Sequence, residues 1–197
     1  RNNLQDILER FTEITARIYS LPGVLARFEE CGKVSKEQMK QIGAVGMAAR
    51  ITGLTRDIRI SHPSLAYQDM HISSVTFDSG DVLARGLLRK AEVIESINYI
   101  FRLIDKYESL NNTNLPQPDF NLSFNNNMLA ISLTEGWRGE ICHSAITDDK
   151  GNIIHYKIKD PSMHNWQALA LAVREEEISN FPVNNKSFNL SYCGFDL

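Results

Sequence analysis

Asp81-Val-Leu-Ala-Arg-Gly-Leu-Leu-Arg-Lys-Ala-Glu-Val-Ile-Glu-Ser-Ile-Asn-Tyr-Ile-Phe-Arg-Leu-Ile-Asp-Lys-Tyr-Glu108 is the longest stretch of the chain that keeps one helical period. Leu83, Leu87, Ala91, Ile94, Ile97, Phe101 and Ile104 form a continuous apolar stripe along it. The preceding Asp78-Ser-Gly-Asp81 places carboxylates at the positive end of the helix. Arg85, Arg89, Glu92 and Ser96 recur at spacings of four, three and four, so they share a second face. Such a face can be a solvated row of salt pairs, each contributing a few tenths of a kcal/mol. A helix this apolar belongs at the centre of a bundle, where part of the polar stripe is covered as well.

Upstream, Leu4, Ile7, Leu8, Phe11, Ile14 and Ile18 predict a first helix that Asn2 or Asn3 can cap. Pro22 ends it and suits the first turn of a short helix that Gly32 closes. Ser35-Lys-Glu-Gln38 is a capping-box pattern. Between Gly43 and Arg59 small apolar residues alternate with Gly43, Gly46, Gly53, Arg50, Arg56, Asp57 and Arg59. The glycines point to tight packing between turns. The segment is too apolar for a loose loop; its arginines read first as solvated, as most arginines are, and second as partnered by carboxylates. His62-Pro63 marks extended chain or a turn, and Ala66 to Phe77 reads as strand or loop.

Downstream, Ser109 to Asn127 is rich in asparagine and proline and reads as a connection. The period then changes to two, predicting strands over Met128–Thr134, Gly139–Ile146 and Asn152–Ile158, the last two joined by an Asp148-Asp-Lys-Gly151 turn. Asn165 to Val173 predicts a short helix, and the aromatic tail from Phe181 to Leu197 is expected to pack down. The expected class is α+β: a helical bundle around one long central helix with a small antiparallel sheet. Residues 1–110 supply the helical portion, 111–127 the connection, and 128–197 the sheet, short helix and tail.

The chain has 197 residues, 43% apolar and 23% charged, within the range of one globular unit. A net charge of −3 gives no basic footprint for nucleic acid. The odd set Cys31, Cys142 and Cys193 reads as thiols rather than a disulfide framework. No apolar run reaches the ~20 residues that span a bilayer, and no signal peptide is recognised. Starting at Arg1 in helical pattern, the chain reads as part of a longer protein. No HExxH, CxxC, calcium loop or phosphate-binding glycine pattern occurs, which argues against a nicotinamide cofactor. Glu135-Gly-Trp-Arg138-Gly-Glu140 remains as a turn whose Arg138 either offers a fork of donors to an anion or is simply exposed.

Gly46-Met-Ala-Ala-Arg50-Ile-Thr-Gly53-Leu-Thr-Arg56-Asp57-Ile-Arg59, Pro63, Gly80-Asp81, Arg85, Arg89, Glu92 and Ser96, taken in order, resemble the quinone-site D subunit of complex I. They equally resemble large subunits of membrane-bound nickel-iron hydrogenases such as formate hydrogenlyase. Glu135-Gly-Trp-Arg138-Gly139-Glu140-Ile-Cys-His143 resembles the hydrogenase E-A-P-R-G-x-x-x-H segment. Asp160-Pro161 and Asn165-Trp166 continue the match, and Arg138 with His143 favours the hydrogenase branch.

The resemblance implies an oxidoreductase complex, peripheral on the cytoplasmic side of the inner or plasma membrane, with a partner subunit carrying an iron-sulfur cluster and with membrane subunits. It implies a cavity lined by Arg138, Glu135 and Arg50 that could receive a quinone, and a polar network of Arg56, Asp57, Arg59, Arg85, Arg89, Glu92 and Ser96. Hydrogenase large subunits hold nickel and iron through CxxC pairs. Here Ser191 and Gly194 stand where thiolates are needed and Cys193 is out of register, so no nickel-iron centre is expected. A non-catalytic scaffold that docks the iron-sulfur subunit is the alternative.

Overall fold

The structure, a computed structural model, describes residues 1–109 and 123–193. Most of the expected connection, 110–122, and the expected metal-site position Gly194 lie outside the described residues. The chain runs through α1 (Asn2–Ile18), α2 (Pro22–Phe28), α3 (Lys36–Gln41), α4 (Gly46–Arg50), α5 (Ile58–Ser61), α6 (Ala66–Asp69) and α7 (Val82–Ser109). It continues as β1 (Leu129–Gly136), β2 (Gly139–Thr147), β3 (Ile153–Lys159), α8 (Ser162–Ala172), a 3-10 turn (Ile178–Asn180) and α9 (Phe181–Phe188). The architecture is α+β, with an antiparallel sheet in the order β1-β2-β3.

Asp81 starts α7: its Oδ1 accepts from the Ala84 amide at 2.8 Å, satisfying a donor that the first helical turn leaves free. Helices α1, α2, α4 and α9 all touch α7. The core gathers Met39, Met47, Ala48, Ile51, Leu88, Leu169 and Phe188 around its amino-terminal half. The polar stripe of α7 is covered there, because Arg85 is completely buried while Leu83 and Leu87 of the apolar stripe are only half-buried. Solvated salt pairs are therefore not what this face holds.

Local chemistry accounts for the shorter elements. Ser35 and Gln38 close the capping box at α3 in both directions. Pro22 occupies the start of α2 as its fixed φ allows. Three local expectations are corrected. Arg1, not Asn2 or Asn3, precedes α1, and no side chain caps it. α2 ends at Phe28, and Gly32 with φ +59° lies beyond it, its missing Cβ leaving room for the Asn184 side chain. Residues 66–69 form a helical turn rather than strand.

The sheet begins at Leu129; the three predicted strands form, but β1 and β3 are exposed over most of their length on both faces, so the expected alternation does not appear as alternating burial. The turn between β2 and β3 closes through Asp148, whose Oδ1 accepts from the amides of Lys150 and Asn152 at 2.8 Å each. The turn between β1 and β2 consists of Trp137 and Arg138. No helix among the described residues is long and apolar enough to cross a membrane.

Candidate functional site

Arg50 is the last residue of α4, and its side chain is only 2% exposed. A guanidinium so placed needs partners, since an unpaired buried charge costs several kcal/mol. It has them on three elements. Nη1 donates to Glu135 Oε1 of β1 at 2.8 Å and to the carbonyl of Arg56 at 2.9 Å. Nη2 donates to Glu92 of α7 in a short contact, and Asp57 Oδ2 lies 3.7 Å from Nη1. Asp57 in turn caps α5 through the Arg59 amide and takes the Arg59 guanidinium in two bonds, 2.9 Å and 2.6 Å.

The electrostatics follow from this arrangement. Burial alone would weaken the Arg50 charge, but Glu92, Glu135 and Asp57 outweigh it and raise its pKa. Burial also pushes the Asp57 carboxyl up, yet the bonds and charge of Arg59, with the charge of Arg50, hold it below the usual carboxylate range. Glu135 behaves oppositely. Burial wins there over Arg50 and the Ile58 amide, and nearby Asp57 adds to it, so its carboxyl sits above the ordinary value.

These residues wall a cavity of about 410 Å³. Arg50, Arg59, Glu92, Ser96 and Glu135 supply its polar side, and Tyr67, Val93, Ile97 and Trp137 its apolar side. A guanidinium beside aromatic rings suits a flat polar molecule able to take negative charge. Of the lining residues, Tyr67 and Val93 were not singled out by the sequence reading, and Trp137 appeared there only as a member of the Glu135–Glu140 turn. Trp137, exposed in a two-residue turn, carried a signal; Tyr67 carried none.

Arg138 does not line this cavity. Its Nε donates to the carbonyl of Asn189 at 2.5 Å, beyond α9. Arg89 shares that destination, with Nη2 donating to the carbonyls of Ser187 at 3.0 Å and Phe188 at 2.8 Å. Its guanidinium also stacks 4.4 Å over the Trp137 ring. Two cations thus meet the carbonyl end of α9, where the helix dipole favours them. Arg85 is a structural strut: it donates to the carbonyls of Gly32 and Gly80, to Asn184 Oδ1 and to Ser187 Oγ. Arg56 reaches the Ala44 carbonyl at 2.7 Å. The predicted residues therefore divide into the Arg50 cavity, the α9 terminus and the core.

Close backbone approach brings the two segments together. Asn165 of α8 accepts from the Val45 amide and donates to the carbonyls of Val45 and Arg138, tying the α4 entry to the β-turn. In the tail, Ser191 Oγ donates to the Cys193 carbonyl at 2.8 Å. Cys31 is buried, Cys142 half-buried and Cys193 exposed. Among the described residues no group of three or more His, Cys, Asp or Glu is placed to hold a metal ion.

Residues 1–130 match the family model described as respiratory-chain NADH dehydrogenase, 49 Kd subunit. An NADH-quinone oxidoreductase D subunit of Chloroherpeton thalassium is 33% identical over 168 residues, covering 74% of this chain and 38% of that protein. Formate hydrogenlyase subunit 5 of Escherichia coli is 23% identical across 100% of this chain and 34% of its own length. The chain thus spans little more than a third of either relative. A chain in the structure of the membrane-bound sulfane sulfur reductase, an archaeal respiratory membrane complex, shares the fold with a TM-score of 0.87 at 21% identity. That match covers 100% of this chain and 54% of the other. On these matches, the chain belongs to the family of the 49 kDa subunit of respiratory-chain NADH dehydrogenase.

Proposed function

We propose that this chain is part of the large subunit of a membrane-associated electron-transfer complex, and that the Arg50 cavity receives a quinone or another small acceptor. The observation that carries the reading is the buried guanidinium of Arg50, fixed by three carboxylates at the wall of a cavity with Trp137 and Tyr67. Such a preorganised cation stabilises negative charge as it develops on a reduced acceptor. The names of the relatives, an NADH-quinone oxidoreductase subunit and a formate hydrogenlyase subunit, point to the same class. The electron would come from an iron-sulfur cluster in a partner subunit, with the assembly peripheral to the cytoplasmic face of the membrane.

The reading includes no nickel-iron centre, because serine at 191 and a single cysteine at 193 lack the soft donor set that such a centre requires. The test of the cavity is Trp137→Ala in the assembled complex. A tenfold or larger rise in acceptor KM (~1.4 kcal/mol or more) with assembly intact supports the site. Unchanged kinetics refutes it.

A second reading, a scaffold that docks the iron-sulfur subunit, is favoured by a specific feature. Leu129, Ile131, Ile154 and Tyr156 of the sheet and Ile7 and Ile14 of α1 are exposed. In that case Trp137→Ala leaves kinetics intact, and polar substitutions at Ile131 and Ile154 prevent assembly.

A further inference from the structure

The two carboxylate oxygens of Glu135 serve two different cavities. Oε1 accepts from Arg50, which walls the cavity of about 410 Å³. Oε2 accepts from the Ile58 amide at 3.2 Å, on the wall of a second cavity of about 260 Å³. Glu135 is the only residue, among those described, that lines both. Its side chain is 4% exposed, whereas each cavity includes an exposed residue, Trp137 in the first and His62 in the second. A buried carboxyl therefore stands in the partition between two spaces that reach the surface separately.

Charge gives the carboxyl its role. Two guanidinium groups, Arg50 and Arg59, face three carboxylates, Asp57, Glu92 and Glu135. Arg89 adds its charge at Glu92, and Glu135 shares its one bonded cation, Arg50, with Glu92 and Asp57, so its buried charge is the least offset of the three. Asp57 is held ionised by Arg59. When Glu135 takes a proton, Arg50 keeps Glu92 and Asp57 as partners. The groups that face Glu135 are Arg50 from α4, Asp57 and Arg59 at α5 and Glu92 from α7. Across the second cavity stand His62, Arg56 and Glu140 of β2.

We propose that Glu135 is a proton-transfer group joining the two cavities. Its carboxylate takes a proton from hydronium in the second cavity, leaving water. The resulting acid gives that proton to a base in the first, the reduced acceptor anion or water, and returns to carboxylate. No electron moves at Glu135. The proposal rests on the acceptor reading only for the destination of the proton. Burial supports it by keeping the acid form to higher pH than in a solvated glutamate.

The test uses the full-length subunit in the assembly in which it purifies, labelled with carboxyl-13C glutamate and followed by infrared difference spectroscopy. The expected result is a carboxylic acid carbonyl band that titrates with pH and shifts in D2O, lost in Glu135→Gln and displaced in Glu135→Asp. Ser96→Phe fills the first cavity and Ser61→Phe the second, both serines being wall residues. Each single variant should still exchange its carboxyl proton, and the double variant should exchange about tenfold more slowly. Where phenylalanine prevents assembly, leucine at the same position makes the same test. Absence of the band between about pH 5 and about pH 9 overturns the proposal. So does loss of exchange in one single variant, or wild-type exchange in the double variant. None of these readouts needs electron transfer, so they can fail while the acceptor reading stands, and hold while it falls.

Discussion

Gly46 and Gly139 stand back to back: a Cβ built on Gly46 would lie 2.2 Å from the Cα of Gly139. That contact lets α4 reach the β1–β2 turn and so brings Arg50 to Glu135. Gly46 also has φ +56°, a left-handed conformation that costs an L side chain about 1–2 kcal/mol. Overpacking adds ~1–3 kcal/mol. Gly46→Ala should therefore destabilise the full-length subunit by about 2–5 kcal/mol, read as a lower midpoint of denaturant unfolding at unchanged slope. An unchanged midpoint would show that the two segments can separate freely.

Arg85 makes a different demand. Its guanidinium spreads four donations over Gly32, Gly80, Asn184 and Ser187 and stacks 4.3 Å over Phe188. Lysine lacks the planar fork, so Arg85→Lys leaves buried acceptors unpaired. The expected cost is about 3 kcal/mol, with the far-ultraviolet spectrum retained at low temperature. If lysine were as stable as arginine, the planar fork would not be what this site uses.

Sequence spacing alone does not reveal the role of Arg85. Spacing along α7 puts Arg85, Arg89, Glu92 and Ser96 on one face, but a solvated stripe and a covered one have the same period. What covers it comes from residues 184–188, about a hundred positions away. The same distance problem hides the Glu135 partner of Arg50, eighty-five residues further on. By contrast, α7 and the three strands were legible, because the residue patterns that mark them are local and their ends carry Asp81 and Asp148. Trp137 and Arg138 are neighbours in one turn, and only the turn geometry decides that Trp137 lines the cavity while Arg138 turns to Asn189.

For Arg138, that geometry makes a specific expectation. Its bond to the Asn189 carbonyl and the bonds of Arg89 to Ser187 and Phe188 secure the end of α9. Removing one charged donor costs about 1.5–3 kcal/mol locally. Arg138→Ala should raise amide exchange in residues 189–193 and leave exchange in α4 unchanged. Protection lost around Arg50 instead would mean that Arg138 supports the cavity directly.

The acid-base balance of the Arg50 cluster yields the last expectation. Asp57 has a folded pKa below its ordinary 3.8, so its stabilising contribution is present above that value and lost as pH falls through the folded pKa. Glu135 has a folded pKa above its ordinary 4.5, so its native state holds the proton more tightly than the unfolded chain does. Its contribution is complete below 4.5 and declines as pH rises through the raised folded pKa. Glu135→Gln cannot lose that proton. The stability of the wild type relative to Glu135→Gln should therefore decrease as pH rises from 4.5 through the raised pKa, and level off beyond it. Asp57→Asn should show the opposite sign, with the wild-type advantage disappearing only below 3.8. Denaturant titrations of the three proteins across this range make the comparison. A wild-type advantage over Glu135→Gln that grows with pH would mean that Arg50 outweighs burial at Glu135 and that the carboxylate, not the acid, is the native form.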